Sequence, residues 1–341
     1  WLSMKKVKAK RWLLFVAMLF LGGGLFSWLI WKEGPTEIVQ SLADFGVLPF
    51  LGFIALSLVN MCVLAWRWKL IIRSYRVGKH QISFWRVLLH RFGGFAFNYL
   101  TPVGHVGGEP VRIALLARDG VPVRQATSST ILDTTFDLFT FILFILIGLL
   151  LASFSGVATG GGVWLIFLAG GSVLAALLGL FYLMMRGHGV LEWLIRFSKL
   201  DRIKIIGGAC KEIVKVEHLM TSFLRGNKRF VLAIAGISVV SILIRVIEVW
   251  YLGYFLGVWM NFGQAFLTST LPGVALLLPV PGGIGVFEGS FATVFALLSL
   301  SLNAVAFAIL IRFRDLLFIG VGLVHSLMQG RKWIAQKVLK E

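Results

Sequence analysis

The chain has 341 residues, 58% of them hydrophobic and only 14% charged, with mean hydropathy +0.89 and a formal net charge of +18. A soluble domain of this size needs far more polar cover. Apolar runs of 20 residues or more also exceed the roughly ten alternating residues of an outer-membrane strand. The composition predicts an all-α polytopic membrane protein and excludes a soluble enzyme and a β-barrel.

In chain order, a basic cluster (Lys5, Lys6, Lys8, Lys10 and Arg11) precedes an apolar run over residues 12–31. That run is too long for a signal-peptide core and lacks an Ala-x-Ala exit, so it reads as an uncleaved span. Further full crossings are predicted at 46–66, 127–152, 163–185, 230–257 and 303–328, about six in all. Basic residues crowd the first eleven positions, 67–91, 112–124, 186–229 and the tail after Arg331. The connections 32–45, 153–162 and 258–262 hold a single one, Lys32. By the positive-inside rule both termini lie in the cytoplasm (N-in/C-in), and the high net charge is this bias rather than a nucleic-acid footprint. The mixed apolar and basic segment 186–229 reads as amphipathic helices on the cytoplasmic leaflet.

Two stretches, 81–126 and 264–300, do not fit simple crossings. The first is interrupted by Arg86, His90 and Arg91 and later by Arg112, Arg118, Asp119 and Arg124. Each contains one copy of the same string, Pro-x-Gly with a Glu seven residues after the Pro. The copies run from Pro102 to Glu109 and from Pro281 to Glu288. Both stretches read as re-entrant helical hairpins, broken at Pro102, Gly104, Gly107 and Gly108 and at Pro279, Pro281, Gly282, Gly283 and Gly285. Two short full spans, 264–279 and 286–300, are the alternative parse of the second. The order span, hairpin, span runs outside to outside over 46–152 and inside to inside over 230–328, which is an inverted-topology repeat. The chain then divides into 1–45 (first span and external loop), 46–152 (repeat one), 153–229 (connecting span and basic segment) and 230–341 (repeat two and tail).

Nine charges lie in or at breaks of apolar segments: Glu109, Asp133, Asp137, Arg245, Glu248, Glu288, Arg312, Arg314 and Asp315. Facing lipid at mid-bilayer, each would cost roughly 2.5–3.5 kcal/mol. Most must therefore face protein or a wet cavity. Asp133 and Asp137 share one helical face. Arg245 with Glu248, and Arg312 with Asp315, are three apart and can pair within their helices, whereas Arg314 needs a partner elsewhere. The set reads either as ion pairs joining helices or as a hydrated substrate site in which arginines bind a phosphate. Asn98, Tyr99 and Arg112 beside the first break are candidate members. Glu109 and Glu288 can instead cap freed backbone donors, and Thr268, Ser269 and Thr270 can bond their own helix or join the site.

Catalytic signals are poor. No metal-ligand spacing, nucleophile elbow, Walker loop or dinucleotide fingerprint occurs, so no enzyme, cofactor or metal is expected. His105, inside the first break, is the one acid–base candidate. Cys62 and Cys210 are not expected to pair.

The runs Phe97-Asn98-Tyr99-Leu100-Thr101-Pro102, Gly107-Gly108-Glu109-Pro110, Leu132-Asp133 and Pro279-Val280-Pro281-Gly282-Gly283-Ile284-Gly285-Val286-Phe287-Glu288 resemble the lysylphosphatidylglycerol-synthase transmembrane, or flippase-like, family. The resemblance covers nearly the whole chain and implies lipid traffic. No soluble aminoacyltransferase domain is read within these 341 residues, so synthase activity is not expected to carry over. The expected function is a flippase- or scramblase-like lipid translocase of the cytoplasmic membrane. Its substrate would be an amphiphile with an anionic or zwitterionic headgroup: a phospholipid, an aminoacylated phospholipid or a polyprenyl-phosphate-linked glycan. The alternatives are an intramembrane lipid-modifying enzyme and a membrane subunit of a separate one. Expected partners are membrane lipids, with a lipid-modifying enzyme and a second copy of the chain as candidates, and no nucleic acid.

Overall fold

The computed structural model describes residues 24–25, 27–32, 34–75, 82–101, 107–154, 161–187, 189–198, 207–226, 228–273, 280 and 283–338. Most of the first expected span lies outside them. So do His105 and five residues of the expected breaks: Pro102, Gly104, Pro279, Pro281 and Gly282.

The described regular structure is helical, without strands. The helices are α1 (Pro35–Phe45), α2 (Val47–Ser74), α3 (Phe84–Leu100), α4 (Glu109–Arg118), α5 (Val123–Phe154) and α6 (Gly161–Arg186). After them come α7 (Val190–Phe197), α8 (Gly207–Gly226), α9 (Lys228–Phe255), α10 (Phe262–Thr270), α11 (Val286–Leu297) and α12 (Ala304–Val338). Within the described residues, three helices are long and apolar enough to cross a membrane: 47–74, 123–151 and 228–255. At 28 residues, α2 and α9 are each about 42 Å long, more than a hydrocarbon core of about 30 Å. The chain is a multi-pass membrane protein.

Local chemistry sets the helix starts. Ser83 Oγ accepts from the Arg86 amide at 3.3 Å to open α3, and Pro110 sits in the first turn of α4. Asn261 and Gln264 form a reciprocal capping box at α10 (2.8 and 3.1 Å), and Asn303 Oδ1 takes the Ala306 amide at 2.8 Å to open α12. The expected span 46–66 continues as helix to Ser74, and 303–328 continues to Val338. Hydropathy ends each segment where charges begin, but a helix continues while its backbone bonds and packing hold.

Two helix contacts organise the molecule. The helix α2 packs on α9, where Ser241 Oγ donates to Asn60 Oδ1 at 2.6 Å, and α3 packs along α12. The second approach depends on Gly322, where a Cβ would run into the Phe92 carbonyl. Phe92 and Phe95 then set their rings against Phe318 at 5.1 and 6.2 Å. One apolar cluster gathers Phe53, Phe266, Phe291 and Phe307, and another gathers Trp68, Leu88, Phe92 and Phe318. Arginine guanidinium groups lie over rings belonging to both, Arg314 over Phe53 at 5.3 Å and Arg112 over Trp68 at 4.0 Å.

Candidate functional site

Asp133 on α5 is the centre of a buried hub. Arg67 of α2 donates to Asp133 Oδ1 from Nε (2.9 Å) and Nη2 (2.7 Å), and to its backbone carbonyl at 3.0 Å. Arg91 of α3 donates to Oδ2 at 2.6 Å, and Arg112 of α4 donates to the same oxygen. One turn on, Asp137 meets Arg67 at 2.8 Å and Arg91 at 2.9 Å. Four helices thus converge on two carboxylates. Arg67 and Asp133 are fully buried, so their charges are tolerable only because every lone pair is met.

A second hub joins α3, α9, α11 and α12. Glu248 on α9 accepts from Arg314 at 2.9 Å, and Arg314 also holds Asp315 at 2.8 Å. Asp315 takes the Tyr99 hydroxyl at 2.5 Å; that hydroxyl accepts from Arg312 at 2.6 Å. Arg312 in turn donates to Glu288 on α11 at 2.7 Å and to the Gly283 carbonyl at 3.2 Å. Tyr99, on the helix leading to the first break, therefore reaches residues beside the second break.

The hubs are built to a common spacing. Arg67–Asp133 and Glu248–Arg314 each join residues 66 apart, with the charges exchanged. The same 181-residue offset that carries Arg67 to Glu248 and Asp133 to Arg314 carries Asn60 to Ser241, which bond each other, and Ser57 to Ser238. Arg67 donates to Ser238 at 2.8 Å and Arg314 to Ser57 at 3.4 Å, so the contacts are reciprocal.

One arginine stands outside this pairing. Arg245 on α9 makes no ion pair or hydrogen bond with the described residues. It is exposed, and Glu248, Arg314, Asp137 and Asp315 lie in electrostatic range of it. Arg245 is therefore an accessible cation set among charges of both signs. Asp137 is likewise accessible, its side chain 39% exposed.

The candidate residues separate accordingly. Asp133, Asp137, Arg112, Tyr99, Glu248, Glu288, Arg312, Arg314 and Asp315 all belong to the hubs. The expected pairing within helices does not occur for Arg312 with Asp315 or for Arg245 with Glu248, because each charged group reaches a neighbouring helix or remains open. Asn98 Oδ1 accepts from the Gly108 amide at 2.6 Å and so ties α3 to the far end of the first break. Glu109 contacts Thr134 at 3.3 Å, and its second oxygen is buried without a partner among the described residues. Glu288 does cap, taking the Gly285 amide at 2.7 Å. Ser269 and Thr270 bond the Phe266 carbonyl of their own helix, and Thr268 is buried with its hydroxyl unpartnered among the described residues. Both cysteines are free thiols.

Arg67 and Arg91 were not among the expected site residues. Their signal is positional: Ser57, Asn60, Leu64 and Arg67 form one buried stripe at i, i+3, i+7 and i+10 of α2. His90, buried in α3, bonds His325 at 3.0 Å and Asp119 at 2.9 Å, a separate chain tying α3 to α12 and to the turn before α5. An apolar groove of about 780 Å³ lies between α5, α6 and α8, lined by Ile131, Thr135, Leu180 and Val216. It occupies the face of α5 opposite Asp133 and Asp137. No group of three or more metal-ligating side chains occurs among the described residues.

Residues 14–322 match the protein family described as the lysylphosphatidylglycerol synthase TM region. A relative described as a UPF0104 membrane protein, from Methanothermobacter thermautotrophicus, is 24% identical over 278 residues, covering 75% of this chain and 77% of the relative. No solved structure matches the chain.

Proposed function

We propose, from the premise that the chain belongs to the lysylphosphatidylglycerol synthase transmembrane family, that it is a lipid translocase. In this reading a headgroup crosses between the two halves of the molecule while its tails remain in lipid. The observation that carries it is the charged seam itself. Two hubs of buried charge, one of them holding the partly exposed Asp137, lie beside an exposed arginine that has no bond among the described residues, on helices long enough to span the bilayer. A purely structural ion-pair network has no need of an unmatched charge in a span, since such a charge is costly.

The reading includes an inverted-topology repeat. The common spacing of the two ion pairs, the reciprocal serine contacts and the self-contact of Asn60 with Ser241 are what a pseudo-two-fold axis through the α2–α9 contact would produce. On it, the units α3–α4 and α10–α11 are re-entrant hairpins entering from opposite faces of the cytoplasmic membrane, and α8 lies on the cytoplasmic leaflet. No bond-making step is assigned to the chain.

The test is reconstitution of the purified protein into vesicles carrying a fluorescent phosphatidylglycerol, with a membrane-impermeant reductant added outside. Translocation predicts protein-dependent bleaching of the inner-leaflet half. Bleaching that stops at half in protein-containing vesicles sinks the reading. A covalently altered lipid recovered by mass spectrometry replaces it with the enzyme alternative.

A further inference from the structure

We infer that Arg245 is the anion-binding group of the seam and that it takes a single phosphodiester monoanion, not a diphosphate. The inference deepens the translocase reading and rests on it for the statement that the ligand is an amphiphile. Its support is the charge balance. Five arginines (Arg67, Arg91, Arg112, Arg312 and Arg314) are ion-paired with five carboxylates (Asp133, Asp137, Glu248, Glu288 and Asp315). Glu109 meets Thr134 and no arginine among the described residues, and Thr134 links it to Arg112 at 3.5 Å. Arg245 is the sixth arginine, and its positive charge is unmatched by any bond among the described residues.

The relation between the halves strengthens this. The 181-residue offset that pairs Arg67 with Glu248 and Asp133 with Arg314 places Leu64 opposite Arg245. The first half forms its hub with a buried leucine at that position, so the arginine is no requirement of the shared spacing. A guanidinium presents a planar fork of donors that fits two oxygens of a phosphodiester. Arg245 is exposed on a membrane-spanning helix, where the dielectric is low enough for one charge pair to count. A diphosphate would bring further negative charge against Glu248, Asp137 and Asp315, and the neighbours in electrostatic range of Arg245 offer only Arg314, already ion-paired, to meet it. Asp137, 39% exposed on α5, would accept a hydroxyl or ammonium of the headgroup beyond the phosphate.

The phosphodiester can belong to a glycerophospholipid or to a polyprenyl phosphosugar, and the experiment separates them. Delipidated full-length protein is titrated with dioleoylphosphatidylglycerol, a polyprenyl phosphoglucose and farnesyl diphosphate, with bound lipid read by native mass spectrometry. Wild type should hold at least one of the two phosphodiesters, and the better-held one names the source; farnesyl diphosphate should bind more weakly. Arg245→Gln should lose about tenfold or more in affinity for it, and Arg245→Lys should lose less. Arg245→Leu copies the first half. It should abolish lipid binding while raising the melting temperature, because it removes an unmatched charge, whereas a structural arginine would lower it. Equal binding of the diphosphate, unchanged binding by a folded Arg245→Gln, or a lowered melting temperature in Arg245→Leu would each overturn the assignment. If wild type binds the phosphodiester through Arg245 but moves none across vesicles, the site stands and the translocase reading falls. If lipid crosses at the wild-type rate in Arg245→Leu, the site falls and translocation stands.

Discussion

The two halves of the molecule use the same short string and the same ion-pair spacing to different ends. At the first break the glycines are needed for close approach: a Cβ on Gly108 would run into the Gly94 backbone. At the second they supply left-handed backbone, with φ of 62° at Gly283 and 79° at Gly285. The glutamates diverge as well. Glu288 spends one oxygen on the Gly285 amide and the other on Arg312, while Glu109 leaves its break to Asn98 and keeps one oxygen unpartnered. The first half concentrates three arginines on Asp133, whereas the second spreads its charges along a chain and leaves Arg245 open. A duplicated motif therefore preserves where the chain bends and where helices are bridged, while the groups that close each bridge are free to differ.

The sharpest way to break this comparison is to remove one carboxylate from each hub. Asp133→Asn would leave Arg67, Arg91 and Arg112 buried around a neutral amide, with Asp137 alone to compensate. Loss of one partner of a buried ion pair costs about 3–5 kcal/mol, so the expected outcome is failure to purify as a monodisperse species, or a large fall in melting temperature in detergent. Glu248→Gln should do less, about 1–3 kcal/mol, because Arg314 retains Asp315. Equal destabilisation by the two variants would show that the hubs are equivalent after all.

A finer contrast sits at the breaks. Glu288→Gln removes the charge that holds Arg312 and weakens the cap on Gly285, which should cost about 1–3 kcal/mol. Glu109→Gln alters a group whose second oxygen has no partner among the described residues, and should fall within about 0.5 kcal/mol of wild type or stabilise slightly. Thermal unfolding of both variants in the same detergent checks the order. A reversal would mean that Glu109 is held by something beyond Thr134.

How far the sequence reveals these differences depends on range. The shared face of Asp133 and Asp137, the bends at Gly108 and Gly285 and the capping by Glu288 follow from helical period and local backbone chemistry, and all are legible. Arg67 was hidden because hydropathy ends the span at 66, although the helix continues to Ser74 and carries Arg67 on the Ser57–Asn60 stripe. The partners across 66 residues were not legible at all. Which carboxylate meets which arginine depends on how α2, α5, α9 and α12 pack. The bond from the Gly108 amide to Asn98 joins residues ten apart on either side of a break, a separation that a periodicity argument does not see.

The smallest effect lies outside both hubs and sharpens the comparison by contrast. Arg124 at the start of α5 donates to Glu212 on α8 from Nε (2.5 Å) and Nη2 (3.0 Å), and Lys215 adds a third bond at 2.9 Å. The geometry rivals that of Arg67 with Asp133, but both side chains are about half exposed, so water and salt screen the pair. The Arg124 hydrogen bond, then that of Lys215, holds the Glu212 carboxyl down at about 2 from its ordinary 4.5. Because the folded value is the lower one, the contribution is complete above pH 4.5 and is lost as pH falls toward 2. Hydrogen exchange in α8 should therefore quicken, relative to the intrinsic rate, between those limits. Glu212→Gln should remove that pH dependence while shifting the melting temperature less than Glu288→Gln does. The effect should also fade as salt is raised, whereas the buried hubs keep theirs. A salt-resistant shift as large as that of Glu288→Gln would place this pair with the hubs and undo the distinction between buried and exposed bridges.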